Sequence, residues 1–181
     1  MQDALIAVDV QVDFCKDGAL AAYDTDSAVG EINGLISDYS SQNRLVIFTR
    51  DWHPVKHCSF QAQGGPWPLH CVQGSTGAAF HPRLNLPPCH LVVSKAVKPD
   101  SEAYSGFDGT GLAPLLQDLG INSLAVCGIA TEYCVLSTFG DALKNGFRAA
   151  VYRKAIRPVA PGSEEEKKAL EAFRNAGSLM E

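Results

Sequence analysis

Three side chains of complementary chemistry occur where apolar segments of the chain end. Asp9 follows Ala4–Val8, Lys95 follows the apolar run that begins at Leu91, and Cys134 follows a third run within a few residues. A thiol can attack a carbonyl carbon, and a nearby carboxylate can carry the protons that such a reaction moves. Cys134 opens a helix-patterned segment, where unpaired N–H groups and the helix dipole favour an ionised thiol. The alternative for Cys134 is a small buried apolar side chain, the commonest role of a free cysteine.

A second group of reactive side chains lies in the segment 50–90, which is rich in Pro, Gly, His and Trp. Its ligand candidates are one carboxylate and three imidazoles: Asp51, His53, His57 and His70. This mixture suits Zn²⁺, Fe²⁺ or Mn²⁺, whereas the alternative is a polar loop whose histidines form local hydrogen bonds. Cys58 and Cys71 rank below the histidines as ligands, because neighbouring residues on an extended chain point to opposite sides.

The composition is that of one soluble globular domain spanning residues 1–181. The chain is 46% hydrophobic and 19% charged, with a net charge of −5. Without a basic stripe, we expect neither a nucleic acid nor a membrane surface as partner. The amino terminus lacks the pattern of a signal peptide, and scattered cysteines in a chain of this length favour reduced thiols. The expected location is therefore the cytoplasm, and the expected partner is a small molecule, with homo-oligomerisation left open.

Short apolar runs alternate with amphipathic segments along the chain. Strands are predicted at 4–8, 45–49, 91–94, 124–127 and 149–152. Helices are predicted at 27–40, 112–119 and 133–145, and a last helix begins at Ser163, which has capping-box spacing to Glu166. Continuously apolar strands are typical of parallel sheets covered on both faces. The pattern predicts a doubly wound, Rossmann-like α/β fold with a mainly parallel sheet of five or six strands and helices on both faces.

In such sheets, ligands bind beyond the carboxyl ends of the strands. Asp9, Asp51, Lys95 and Cys134 each occupy the end of a predicted strand or the turn after it. The sequence therefore predicts that these side chains converge in one crevice, together with the histidines of the long loop.

The order of several short motifs resembles that of the isochorismatase-like cysteine hydrolases. Within them, the chain is similar to the nicotinamidases/pyrazinamidases over nearly its full length. The motifs that carry the resemblance are DVQVDF from Asp9, TRDWHP from Thr49, WPLHC from Trp67, Lys95, Tyr104-Ser105 and GIATEYCV from Gly128. Glu132 departs from the pattern, because many relatives have aspartate there.

The resemblance implies the role of each site residue. The family's triad corresponds to Asp9, Lys95 and Cys134, and its oxyanion hole to the N–H groups of Ala130 and Cys134, after a cis peptide bond between Ile129 and Ala130. The implied reaction converts nicotinamide to nicotinate and ammonia through a cysteine thioester, with pyrazinamide as a further substrate. Asp9 would move the protons, and Lys95 would keep Asp9 ionised.

The same resemblance implies a cofactor and a substrate pocket. A divalent metal, with zinc expected first and iron or manganese as alternatives, would be held by Asp51, His53 and His70 and would bind the ring nitrogen. His57 is a ligand in some relatives and a neighbour in others. The aromatic ring would lie among these residues: Phe14, Leu20, Trp67, Tyr104, Ala130 and Tyr133.

Two other functions remain open at this point. One is a different amide or carbamoyl hydrolase of the same superfamily, although those enzymes generally lack the Asp-x-His and distal His set. The other is a non-catalytic or redox-sensing module on the same fold. No second cysteine stands at Cys-x-x-Cys spacing from Cys134, which argues against thiol-disulfide chemistry.

Overall fold

The computed structural model describes residues 2–181 and contains one six-stranded sheet in which all strands are parallel. The strands are β1 (Ala4–Val8), β2 (Leu45–Asp51), β3 (Leu91–Lys95), β4 (Ser123–Ile129), β5 (Arg148–Arg157) and β6 (Leu179–Met180). The strand order is β3-β2-β1-β4-β5-β6. The predicted doubly wound α/β fold is therefore confirmed, and every predicted strand is present. The short β6 at the sheet edge was not predicted.

Helices cover both faces of this sheet, as predicted. They are α1 (Thr25–Ser41), α2 (Leu112–Asp118), α3 (Leu136–Lys144) and α4 (Glu164–Asn175). A π-helical turn over Thr131–Val135 leads directly into α3. The Oγ atom of Ser163 accepts a hydrogen bond from the N–H of Glu166 at 3.1 Å, which caps α4. Among residues 2–181, no helix combines the length and apolar character that crossing a bilayer requires.

Strand β1 shows why the strand sequences are continuously apolar. All five of its side chains are fully buried. Leu5 and Ala7 belong to the apolar cluster that includes α1, whereas Ala4, Ile6 and Val8 belong to the cluster formed with α2, α3 and α4. Because successive side chains of a strand point to opposite faces, a strand between two helical layers needs apolar residues at every position.

The strand order reverses between β1 and β4, and the chain is closely packed there. Gly128 has a φ of 118°, and a Cβ atom at this position would lie 2.1 Å from the carbonyl oxygen of Val8. Only glycine fits such an approach. The turn after β4 is therefore held against the end of β1, at the crevice where ligands of doubly wound folds bind.

The long loop between β2 and β3 is ordered by isolated bridges rather than by strands. His53 pairs with Val72 and Phe60 pairs with Trp67, and Phe80 pairs with Gln11 beyond the end of β1. These contacts fold the loop back over the carboxyl edge of the sheet. The histidines of the loop therefore lie beside the crevice.

Candidate active site

The carboxylate of Asp9 is fixed immediately after β1. The residue has a positive φ of 49° and is fully buried. The hydroxyl of Thr49 in β2 donates a hydrogen bond to Oδ1 of Asp9 at 2.7 Å, and the N–H of Asp9 donates to the carbonyl of Thr49 at 3.2 Å. One carboxylate oxygen is therefore held by Thr49, and Oδ2 faces the other predicted catalytic residues.

The ammonium group of Lys95 joins these residues at the end of β3. Its Nζ atom lies 2.9 Å from Oδ2 of Asp9 and 3.4 Å from Sγ of Cys134. It also donates to Oδ1 of Asp51 and, at 3.2 Å, to the carbonyl of Ala103. The structure thus brings Asp9, Lys95 and Cys134 together, and their relative positions match the convergence expected from the sequence.

The charges of this cluster decide where its protons reside. Burial raises the pKa of Asp9, and Lys95 opposes this shift without reversing it, because the ammonium is shared with Asp51. Burial would raise the pKa of Asp51 as well, but Lys95 and then His53 outweigh it and hold that pKa below its usual value. Burial lowers the pKa of Lys95, but the two carboxylates outweigh this effect and raise it well above its usual value.

The surroundings of the Cys134 thiol disfavour its ionised form. Burial, and then the carboxylates of Asp9 and Asp51, raise its pKa well above the usual value, although Lys95 opposes the shift. This direction is opposite to the effect expected from the helix dipole alone. Lys95 lowers the pKa of Asp9, the direction expected from the sequence, although burial has the larger effect. A carboxylate whose pKa is raised accepts a proton readily, which suits Asp9 to deprotonate the thiol.

The backbone between β4 and Cys134 forms an unusual turn. The peptide bond between Ile129 and Ala130 is cis, as the resemblance implied. The carbonyl of Ala130 accepts hydrogen bonds from the N–H groups of Tyr133 and Val135 at 3.1 Å each. Ala130 lines the same pocket as Cys134.

Asp51, His53 and His70 form a group that could hold a metal ion. One ligand atom from each lies within 4.8 Å of the others, and all three side chains are buried. Both ring nitrogens of His53 lack a hydrogen-bond partner. Nδ1 of His70 lies 2.7 Å from the carbonyl of Pro68, which leaves Nε2 to bind a cation. Buried imidazole nitrogens are normally paired, so the donor set fits a divalent metal.

His57 lies beside this group with both ring nitrogens engaged. Nδ1 is 2.7 Å from the hydroxyl of Ser59, and Nε2 is 3.1 Å from the carbonyl of Ser101. Its ring centroid is 4.2 Å from that of His53. Within residues 2–181, neither Cys58 nor Cys71 joins a candidate metal group.

One pocket contains the thiol, two of the candidate metal ligands and every predicted substrate-binding residue. It is lined by Cys134, Asp51 and His70 together with Phe14, Leu20, Trp67, Tyr104, Ala130 and Tyr133. The indole N–H of Trp67 donates to the hydroxyl of Tyr104 at 3.0 Å, and Trp67 packs edge to face against Tyr133 at 5.3 Å. The pocket can therefore hold a flat ring near the thiol.

Sequence reasoning missed several residues that shape this site. Val159 and Glu102 line the pocket, and Thr49 holds Asp9. The carboxylate of Glu132 accepts a hydrogen bond from the N–H of Val159 at 2.9 Å and so fastens the loop after β5 to the turn that carries Cys134. The only available signals were the position of Glu102 two residues before Tyr104 and of Thr49 two residues before Asp51.

Comparisons with known proteins agree with this geometry. A family model described as the isochorismatase domain matches residues 3–180. A nicotinamidase of Escherichia coli is 36% identical over 98% of this chain and 93% of its own length. A pyrazinamidase of Pyrococcus horikoshii, solved in complex with zinc, is 43% identical with a TM-score of 0.94, covering 100% of this chain and 99% of its own. The protein PnC1 of L. infantum, solved with nicotinate, is 36% identical with a TM-score of 0.90, covering 99% and 92%.

Proposed function

The chain belongs to the isochorismatase family, and from this membership and the site geometry we propose that it hydrolyses nicotinamide to nicotinate and ammonia. Pyrazinamide is proposed as a further substrate. The observation that carries the proposal is the shared pocket, in which a thiol, candidate metal ligands and aromatic side chains face one cavity. Support also comes from relatives of similar length named nicotinamidase and from the pyrazinamidase solved with zinc.

The first chemical step is attack by Cys134 on the carboxamide carbon. A carboxylate oxygen of Asp9, a carboxylate oxygen of Asp51 and the sulfur of Cys134 lie within 4.8 Å of one another, and Lys95 contacts all three residues. Asp9 takes the thiol proton as the carbon–sulfur bond forms, because its raised pKa makes the carboxylate a stronger base. The ammonium of Lys95 stabilises the negative charge that remains on sulfur until the bond is complete.

Breakdown of the tetrahedral intermediate releases ammonia. The N–H groups of Ala130 and Cys134 are proposed to donate to the oxyanion, since preorganised donors at this place lower the barrier. Asp9 returns its proton to the amide nitrogen, the carbon–nitrogen bond breaks, and a thioester on Cys134 remains. Water then attacks the thioester with Asp9 as base, and nicotinate leaves as the thiol is restored.

A divalent metal is proposed at Asp51, His53 and His70, with zinc first and iron or manganese as alternatives. When bound, the cation supplies a Lewis-acid contact for the ring nitrogen of the substrate. Two observations support this assignment: the ring nitrogens of His53 make no hydrogen bond, and His70 is oriented by its bond to Pro68. The chain itself orients the ring through Trp67, Tyr104 and the other apolar walls of the pocket.

We also infer that the whole chain acts as one domain in the cytoplasm. All six cysteines are unpaired, which suits a reducing compartment.

The proposal is tested by ammonia release from a panel of amides. Wild-type protein is expected to hydrolyse nicotinamide and pyrazinamide, to lose this activity on metal removal, and to recover it on addition of zinc. Cys134→Ala should be inactive, whereas Cys127→Ala, which removes another buried thiol, should retain activity. A preference for non-aromatic carbamoyl amides would contradict the substrate, and full activity after metal removal would contradict the role of the metal.

A further inference from the structure

A short segment between β3 and α2 touches three separate parts of the active site. The carbonyl of Ser101 accepts from Nε2 of His57 at 3.1 Å, and the carbonyl of Ala103 accepts from the ammonium of Lys95 at 3.2 Å. The backbone on both sides of Glu102 is therefore fixed. These two hydrogen bonds hold the backbone of Glu102 close to the active site, so its carboxylate stays near the site.

The side chain of Glu102 points to the same place as the candidate metal ligands. It lines the pocket that also contains Asp51 and His70. A carboxylate oxygen of Glu102 and ring nitrogens of His53 and His57 lie within 4.8 Å of one another. One oxygen, Oε1, accepts from the N–H of Ala103 at 2.9 Å, which orients the group and leaves Oε2 for another contact.

His53 gives independent support for a ligand at this place. It is 1% exposed, and neither of its ring nitrogens has a hydrogen-bond partner. His53 belongs both to the group with Asp51 and His70 and to the group with His57 and Glu102. A buried imidazole that makes no hydrogen bond and is shared by two donor groups indicates that a cation between them would be within reach of both.

We propose that Glu102 supplies a second carboxylate to the metal centre, in addition to Asp51, His53 and His70. This inference rests on the metal centre of the proposed function. His57 has a different role in it, because its two ring nitrogens are already engaged by Ser59 and Ser101. By holding Ser101, His57 positions the segment that carries Glu102.

The added carboxylate has a consequence for the choice of ion. Carboxylate oxygens suit Mn²⁺ better than Zn²⁺, whereas imidazole nitrogens suit Zn²⁺ well. A site with two carboxylates should therefore hold Mn²⁺ more tightly than a site with one, and the removal of one carboxylate should weaken Mn²⁺ more than Zn²⁺.

The test compares the metal affinity of Glu102→Gln with that of wild type in the absence of substrate, by competition with a chromophoric chelator. Glutamine keeps an oxygen for the N–H of Ala103, so the segment remains in place. The Mn²⁺ affinity is expected to fall by about tenfold or more, and the Zn²⁺ affinity by less. Glu171→Gln, which neutralises an exposed glutamate of α4, should bind both ions as wild type does.

The inference would be overturned if Glu102→Gln bound Mn²⁺ and Zn²⁺ with affinities within about twofold of those of wild type. Such a change is far smaller than the loss expected when a supporting carboxylate is removed. A raised KM for nicotinamide with unchanged metal affinity would overturn it too and would make Glu102 a substrate contact. Failure of metal-loaded wild type to hydrolyse nicotinamide would instead overturn the proposed function, while the comparison of metal affinities would still stand.

Discussion

Two trios of side chains at the edge of the sheet are similarly buried, but their polar groups differ in whether a cation of the chain contacts them. In the first, Asp9, Asp51 and Cys134 surround the ammonium of Lys95, which contacts all three. In the second, Asp51, His53 and His70 have a comparable spacing, but Lys95 reaches only Asp51.

This difference shows which of the two sites has its charges balanced by protein side chains alone. In the first trio, the ammonium of Lys95 offsets the charges of the buried carboxylates of Asp9 and Asp51, so the geometry of this trio does not depend on a ligand. The second trio leaves both nitrogens of His53 without a hydrogen bond, although Nε2 lies 3.6 Å from Oδ2 of Asp51. A metal ion would supply to the second trio the positive charge that Lys95 supplies to the first.

Removal of the nucleophile should have the largest effect on activity and none on the metal trio. Cys134→Ser is expected to lower kcat for nicotinamide by about 10⁴-fold or more, because the covalent path is lost. Its zinc affinity should equal that of wild type. Ammonia release and chelator competition on the same preparation measure both quantities. A loss of metal binding in this variant would break the separation between the two trios.

Removal of the built-in cation should damage both activity and stability. Lys95→Met leaves the buried carboxylates of Asp9 and Asp51 without their shared partner, so we expect a loss of about 3–5 kcal/mol in the free energy of unfolding. Thermal unfolding should show a Tm lower by on the order of 10 °C. Lys144→Met, which removes an exposed ammonium paired with Asp141, is the control and should leave Tm nearly unchanged. Equal Tm values for the two variants would contradict the account.

Removal of His53 should abolish the response of the protein to metal. His53→Ala is expected to weaken zinc binding by about 100-fold or more, beyond the loss usual for outer residues of a metal site. Metal raises the stability of wild type according to its affinity, so the zinc-induced increase in Tm should disappear in this variant. His90→Ala, outside the pocket, should keep the increase. Scanning calorimetry with and without zinc would decide, and a preserved increase in His53→Ala would count against the metal trio.

Removal of the hydroxyl that orients Asp9 should have the smallest effect. Thr49→Val loses the bond to Oδ1 of Asp9, so kcat is expected to fall by about tenfold with little change in KM. Thr138→Val is the matched control, because its hydroxyl is also buried but accepts from the N–H of Gly106. Both variants should lose about 1–3 kcal/mol of stability. Equal kcat values in the two variants would show that Thr49 has no part in positioning the base.

The sequence was sufficient to predict those strands whose surroundings are the same at every position. Strand β1 is apolar at every position because helices cover both of its faces, and this pattern is visible without coordinates. The edge strand β6, with two residues, carries too few positions for a pattern. Strand β5 extends to Arg157 beyond a register shift at Val126 to Gly128 in its partner, and no local signal marks such an irregularity.

The site was predictable to the extent that strand ends mark it. Asp9 and Cys134 follow strands and Lys95 is the last residue of one, so topology alone placed them at one edge. Glu102 escaped prediction because its place depends on contacts between separate loops. The raised pKa of the Cys134 thiol escaped it as well, since the charge balance around sulfur depends on side chains that are distant in the sequence.

The central claim is that the sulfur of Cys134 becomes bonded to the substrate. Protein quenched in acid during turnover of nicotinamide can be digested and examined by mass spectrometry. The account predicts that the peptide containing Cys134 carries the added mass of a nicotinoyl group, which is absent from the Cys134→Ser protein and from the peptides of the other cysteines. Turnover at full rate with Cys134 unmodified, or with the adduct on another residue, would contradict it.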